Sequence, residues 1–167
     1  IGNVPVYCEY NSKAYEFCSK KEGFFYKSLY WDGASVWGVA SSNNTYHINC
    51  GAQLAYISEL AKKVDLEGFT ISIDSNIYLG NKDFMSIGDT DHPYKGSFNG
   101  NGNEIFGLKY KHDNDHEDNN GLFSYVIGNG NKFSDIELYG QQTNGAETIG
   151  DLIGTLYVKE NSNVTIS

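Results

Sequence analysis

One acidic loop concentrates the residues that could bind a metal ion. The stretch 112–120 carries carboxylates at alternate positions, Asp113, Asp115 and Glu117. Carboxylate oxygens are ligands that Ca²⁺ prefers, and side chains at alternate positions can face one ion. The spacing is not that of an EF-hand, because Asp118 stands at the sixth position, where that loop needs Gly. We therefore predict a calcium site at these three residues, with a solvated, ion-free loop as the alternative interpretation. No other cofactor is expected.

Aromatic residues near the amino end could bind a ligand by stacking. Tyr26 and Tyr30 lie shortly before Trp31 and Trp37 in the sequence. Such rings combine a large apolar face with a polar edge, which suits them to stack on sugars. The alternative is that they cover the apolar interior at one end of a repeat structure. We predict Trp31 and Trp37 as ligand-binding residues, and the sequence leaves both roles open.

The residue types of nucleophilic catalysis occur, but without a local signature. Ser, Cys, His and carboxylates are all present, yet nothing surrounds them that resembles a catalytic motif. The stretches 100–103 and 128–131 both read Gly-Asn-Gly-Asn. They lack the Lys and Ser/Thr of a nucleotide-binding loop and are typical of tight turns. We expect no catalytic residue and no enzymatic activity.

The charge balance argues against nucleic acid as a partner. The formal net charge is −9, and all 12 basic residues are lysines, since the sequence contains no arginine. Binding to phosphates requires clustered basic side chains, and the bidentate fork that recognises phosphate or carboxylate belongs to arginine. The same lack of arginine disfavours an anionic polysaccharide as a substrate.

The three cysteines, Cys8, Cys18 and Cys50, do not form a complete disulfide framework or a four-ligand zinc site. Pairing of Cys8 with Cys18 and burial of free thiols are the two interpretations.

No apolar stretch approaches the ~20 residues that cross a bilayer. The start at Ile1 and the strand-like end at 163–167 lead us to expect a part of a larger, processed chain.

The hydrophobic pattern predicts one amphipathic helix and a series of short strands. Apolar residues recur at three- and four-residue spacing between Ala52 and Val64, which is the period of a helix face. A shorter helix could form within 12–21. Alternation with period two predicts strands at 69–74 and 77–79, and another strand is expected at 45–48.

A weak internal repeat in the second half predicts a stacked β architecture. The stretch 121–126 aligns with 151–156, and 133–138 aligns with 105–110. We therefore predict a mainly β fold made of β-solenoid-like repeats with one amphipathic helix. Residues 1–45 are expected to form an aromatic amino-terminal cap, and residues 46–167 the β-solenoid module.

The motif order from about Tyr46 onward resembles bacterial cell-surface proteins with Gly-Leu-rich GLUG repeats. These include adhesin-like proteins and the non-catalytic regions of some immunoglobulin A proteases. Asp151 and Asn99 depart from the family pattern, at positions where Gly and Asp are usual. The resemblance is carried by the stretches 46–48, 51–55, 68–79, 87–88, 94–108, 121–125 and 150–154, of which 94–108, Tyr-Lys-Gly-Ser-Phe-Asn-Gly-Asn-Gly-Asn-Glu-Ile-Phe-Gly-Leu, is the most specific.

The resemblance implies a right-handed β-helix, export to the cell surface and no activity of the region itself. We accordingly expect a non-enzymatic extracellular module that binds a host or matrix glycan or protein in the manner of an adhesin, or that serves as a structural spacer. The alternatives are a polysaccharide-active β-helix enzyme, whose paired carboxylates would lie on one face, and an accessory region of a surface protease.

Overall fold

The computed structural model describes residues 4–8, 12–110, 119–141, 148–149 and 151–167. Two α-helices and 16 β-strands occur in these ranges. In chain order they are β1 Val4–Cys8, α1 Lys13–Lys20, β2 Phe24–Ser28, β3 Ser41–Ser42, β4 Thr45–Ile48, α2 Gly51–Ala61, β5 Thr70–Ile73, β6 Ile77–Tyr78, β7 Asp83–Phe84, β8 Ser97–Asn99, β9 Glu104–Tyr110, β10 Asn119–Asn120, β11 Phe123–Gly128, β12 Lys132–Ser134, β13 Glu137–Gln141, β14 Thr148–Ile149, β15 Ile153–Val158 and β16 Thr165–Ile166.

The strands form several sheets in which parallel pairing dominates. One sheet has six strands in the order β16-β12-β8-β5-β4-β3, and a second has the order β13-β9-β6, with β7 also paired to β9. Three further sheets are two-stranded: β1-β2, β10-β14 and β11-β15. The pair β3-β4 is antiparallel, and the other strand pairs are parallel.

The prediction of a right-handed β-helix or β-solenoid with a single helix is wrong. The described residues form a mixed α/β arrangement with two helices, and their sheets form neither a closed nor a solenoid structure. The separation between paired residues also varies: Thr45 pairs with Thr70, 25 residues later, whereas Phe98 pairs with Phe133, 35 residues later. Several strands end next to Gly or Asn, as β4 does before Asn49 and β8 before Gly100, since both residues favour tight turns.

One of the two internal alignments agrees with the strand register, and the other does not. β11 pairs with β15 so that Phe123 lies beside Ile153, as the alignment of 121–126 with 151–156 predicts. Residue Ile105 pairs with Leu138 instead of Phe133. The second alignment therefore failed by several residues, because apolar residues recur too often in this region to fix a register.

Both helices arise from local signals. α2 occupies Gly51–Ala61, so the predicted helix at 52–64 is confirmed but ends earlier, and its core-facing residues include Leu54 and Ile57. α1 begins after Ser12, whose hydroxyl oxygen accepts a hydrogen bond from the Tyr15 backbone N–H at 3.2 Å. Such a cap satisfies one of the free N–H groups at the start of a helix.

The amino-terminal β1-α1-β2 unit buries two of the three thiols. Cys8 and Cys18 are buried and Cys50 is half-buried, and all three are free. Burial, with a further contribution from Cys8, raises the pKa of the Cys18 thiol. The structure therefore agrees with the interpretation of Cys8 and Cys18 as buried free thiols.

The predicted boundary between the two parts of the chain at residue 45 stays a prediction.

The core contains a cluster of aromatic rings among mostly aliphatic side chains. The ring of Phe123 lies 4.7 Å from that of Tyr94 and 5.1 Å from that of Phe133, measured between centroids. Burial raises the pKa of the Tyr94 hydroxyl well above its ordinary value, and this hydroxyl donates a hydrogen bond to the Ser97 carbonyl at 2.7 Å. The buried polar group is thus satisfied, as a close-packed interior requires.

Gly100 marks the closest approach between two backbone segments. A Cβ atom added at Gly100 would lie 1.9 Å from the carbonyl oxygen of Asp135, and the Gly100 N–H donates to the Ser134 carbonyl at 2.8 Å. Only a residue without a side chain fits there. The Gly-Asn-Gly-Asn stretch at 100–103 is a turn, as predicted, and its first glycine permits the contact with the next strand pair.

We predict that Gly100→Ala lowers the free energy of unfolding by about 3 kcal/mol or more, because the backbone must move to admit the methyl group. Gly38→Ala is the matched control, since its added carbon would meet only a side-chain atom at 3.8 Å, and it should stay within about 0.5 kcal/mol. Urea unfolding followed by circular dichroism measures both. Equal values for the two variants would contradict the close contact at Gly100.

Candidate functional site

The predicted calcium ligands Asp113, Asp115 and Glu117 lie outside the described residues. Within the described ranges, no group of three or more His, Cys, Asp and Glu side chains is placed to hold a metal ion. The calcium site therefore stays a prediction from the sequence.

Within the described ranges, neither helix is long and apolar enough to span a bilayer.

The structure places Trp31 and Trp37 at the edge of the core. Trp31 is 9% exposed, its indole Nε1 donates to the Ser35 carbonyl at 2.8 Å, and its ring meets Phe84 edge to face at 5.8 Å. Trp37 is half-buried and packs against the same core. Both indoles thus contribute to packing, and ligand binding by them stays a prediction.

Trp31 also lines a small cleft of about 180 Å³ between the segment 31–36, α2 and β7. Glu59 and Asp83 add carboxylates to its lining. The Ser58 hydroxyl donates to the backbone carbonyl oxygens of Met85 and Ser86. The cleft is smaller than the ~300–1,000 Å³ typical of small-molecule pockets. It has room for a small group at most.

The most distinctive surface feature is a row of aromatic rings across three parallel strands, which we call the aromatic ladder. It consists of Tyr78 on β6, Phe106 on β9 and Tyr139 on β13, with Tyr30 at one end. The Tyr78 and Phe106 rings stack with centroids 5.1 Å apart, and Phe106 and Tyr139 stack at 5.2 Å. Tyr30 meets Tyr78 edge to face at 5.7 Å.

The ladder lies on the outer face of its sheet. Tyr139 is 48% exposed and Tyr30 is 44% exposed, and the two rings between them are half-buried. Strand side chains alternate between the two faces of a sheet. Ile77 and Ile105, which precede the ladder residues, accordingly point into the core and are buried. The ladder is therefore a partly exposed aromatic strip above a buried aliphatic layer.

A polar row runs beside the ladder, one position before each inward-facing residue. It consists of Asn76, Glu104 and Glu137, with Glu104 and Glu137 directly paired in register. Asn76 Nδ2 donates to Glu104 Oε2 at 3.3 Å, and the Tyr139 hydroxyl donates to Glu137 Oε2 at 3.0 Å. The hydrogen bond to Glu137, with the negative charges of Glu137 and Glu104, raises the pKa of the Tyr139 hydroxyl.

The aromatic ladder was not predicted from the sequence, although the sequence carries a signal for it. The triplets Asn-Ile-Tyr at 76–78, Glu-Ile-Phe at 104–106 and Glu-Leu-Tyr at 137–139 share one pattern of polar, aliphatic and aromatic residues. Parallel pairing in register places like residues beside each other. The repeat that predicts the ladder is therefore this polar-aliphatic-aromatic triplet, not the repeated glycines.

A second polar cluster contains His, Asp and Ser, but in an order that does not activate the serine. Asp74 lies between the other two: His47 Nδ1 is 2.8 Å from Asp74 Oδ2, and the Ser72 hydroxyl donates to Asp74 Oδ1 at 2.8 Å. No hydrogen bond joins Ser72 to His47. A catalytic triad needs the histidine next to the nucleophile, so this cluster lacks its geometry.

The comparisons with known proteins found no relative. No protein-family model matches the chain, and neither a curated protein nor a solved structure matches it. The resemblance to GLUG-repeat surface proteins is thus carried by the quoted sequence motifs alone, and the functional interpretation depends on the site geometry.

We predict that the Tyr139 hydroxyl titrates above the ordinary tyrosine value of about 10, because its ionisation would place a third negative charge beside Glu104 and Glu137. Glu137→Gln should lower the Tyr139 pKa toward that value by removing one charge and the charged acceptor. NMR of ¹³Cζ-labelled tyrosine measures it, with exposed Tyr157 as the internal control. An unchanged Tyr139 pKa in the variant would contradict this arrangement.

Proposed function

We propose that the chain is a non-enzymatic binding module, displayed outside the cell, whose aromatic ladder contacts an extended ligand. The single observation that carries the proposal is the ladder itself, three rings stacked on the outer face of one sheet with Tyr30 packed edge to face at one end. Exposed, contiguous aromatic surface is typical of interaction sites, because such rings supply large contact area with few rotatable bonds.

The dimensions of the ladder suit an elongated partner. Three strand spacings of ~4.8 Å give the row a length of about 14 Å. The residues of the neighbouring polar row provide acceptors along the same line, so hydrogen bonds can accompany apolar contact. A glycan chain or an extended peptide segment of a host or matrix protein fits such a strip.

Two further observations support a binding role over a catalytic one. The order His47, Asp74 and Ser72 leaves the serine without an adjacent base. The cleft beside Trp31 is small. The resemblance to GLUG-repeat proteins and the acidic, arginine-free composition favour export and display on a bacterial surface, with the adhesin-like role preferred to that of a spacer.

We predict that a glycan or matrix-protein ligand found by array screening binds at least tenfold more weakly to Phe106→Ala and Tyr139→Ala, a loss of about 1.4 kcal/mol or more. Biolayer interferometry with the full chain measures the affinities. Tyr157→Ala is the control, because Tyr157 is 55% exposed and belongs to another sheet. Thermal unfolding checks that each variant keeps its fold.

Two results would contradict the proposal. A ligand that binds the ladder variants and the control equally would show that another surface is responsible. The absence of any binding in the screen at millimolar concentrations would favour the structural spacer.

A further inference from the structure

We infer that the cleft beside Trp31 is a second binding site, which takes a methylated ammonium group of the choline type. The site is separate from the aromatic ladder, because no ladder residue lines the cleft. The inference therefore goes beyond the proposed function and does not depend on it. It rests on three properties of the cleft: walls that are held in place, a mostly apolar lining with two aromatic rings, and a carboxylate without a partner.

Hydrogen bonds hold the walls of the cleft in place. Asp32 Oδ1 accepts from the backbone N–H groups of Ala34 at 2.9 Å and Ser35 at 2.7 Å, which fixes the turn after Trp31. The indole is tied to the same turn, since its Nε1–H donates to the Ser35 carbonyl at 2.8 Å. On α2, the Ser58 hydroxyl donates to two backbone carbonyl oxygens just after β7. A preformed cleft costs a ligand less free energy than one that must be assembled on binding.

Most of the lining is apolar, and two of its side chains are aromatic. The apolar side chains are those of Trp31, Ala34, Val36, Ala55, Phe84 and Met85. The Trp31 and Phe84 rings meet edge to face, with centroids 5.8 Å apart. Aromatic rings attract a cation that lies within ~6 Å of the ring centroid. The cleft has a volume of only about 180 Å³, so a group inside it lies close to these rings.

The polar side chains of the lining select a positively charged ligand. Among the described residues, no hydrogen bond or ion pair involves the Glu59 carboxylate. Asp83 adds a second carboxylate, and the hydroxyl of Ser58 is already used in its hydrogen bonds to carbonyl oxygens. An anion would meet the Glu59 charge without a side-chain donor to bind it, whereas a cation meets complementary charge.

Two lysines lie near the cleft, and neither belongs to its lining. Lys109 binds Asp83 Oδ1 at 2.5 Å. Lys82 lies next to Gly33 at the edge of the cleft, where its aliphatic carbon atoms are the nearest atoms. The Glu59 carboxylate is therefore left for a ligand.

A methylated ammonium fits this combination better than a primary ammonium. Its methyl groups share the positive charge and carry no N–H, so they pack against apolar side chains and aromatic rings. A primary ammonium has three N–H donors, and burial of any of them against Val36 or Phe84 without an acceptor costs free energy. The small volume of the cleft suits a headgroup of this size.

The test uses the full chain and three small ligands. Choline carries the methylated ammonium, 3,3-dimethylbutan-1-ol is its neutral carbon isostere, and ethanolamine keeps the charge without the methyl groups. In ¹H–¹⁵N NMR titrations, choline should shift the indole N–H signal of Trp31 and leave that of Trp37, which does not line the cleft, in place. Choline should bind about tenfold more tightly, or better, than either of the other two ligands.

Two variants separate the charge of Glu59 from the net charge of the chain. Glu59→Gln keeps the shape of the side chain and removes its charge, so it should reduce the preference for choline over the neutral isostere to about threefold or less. Glu160→Gln is the matched control, because Glu160 is exposed in the turn after β15 and does not line the cleft. It should bind choline as the unmodified chain does.

The outcomes are distinct from those that test the ladder. Equal binding of choline and its isostere, tighter binding of ethanolamine, a choline preference that survives Glu59→Gln, or an unshifted Trp31 signal at saturating choline each overturns the site. Choline binding that Tyr139→Ala leaves unchanged supports it, whether or not the ladder binds a glycan.

Phosphatidylcholine vesicles identify the source of the headgroup. Co-sedimentation with these vesicles that Glu59→Gln abolishes supports the site and identifies a lipid as the source. Choline binding without co-sedimentation supports the site with a soluble source.

Discussion

Parallel pairing between short strands whose paired residues lie 20 to 35 positions apart in the sequence is the constraint on which the rest of the structure depends. Strands such as β5 and β8 have only four and three residues, too few to be stable alone. Each is held by a partner that the chain reaches only after a crossover. Turns at Gly and Asn make those crossovers possible, and the backbone contact at Gly100 fixes where one strand pair meets the next.

The same register produces both the interior and the candidate binding surface. In the six-stranded sheet, Ile71, Phe98 and Phe133 are paired in register and buried. In the sheet of β6, β9 and β13, in-register pairing instead stacks aromatic residues on the outside. A shift of one residue in any of these strands would exchange the two faces. Stability of the core therefore also preserves the geometry of the ladder.

The local elements were predictable from the sequence, and the assembly was not. The period of Leu54 and Ile57 identified α2, and alternation identified the strands near Ile71 and Ile77. The arrangement of the sheets depends on which distant strand each strand pairs with. Repeated apolar residues permit several pairing registers, as the wrong alignment of Ile105 with Phe133 shows. The ladder was not predicted because its residues lie far apart in the sequence and become neighbours only through this long-range strand pairing.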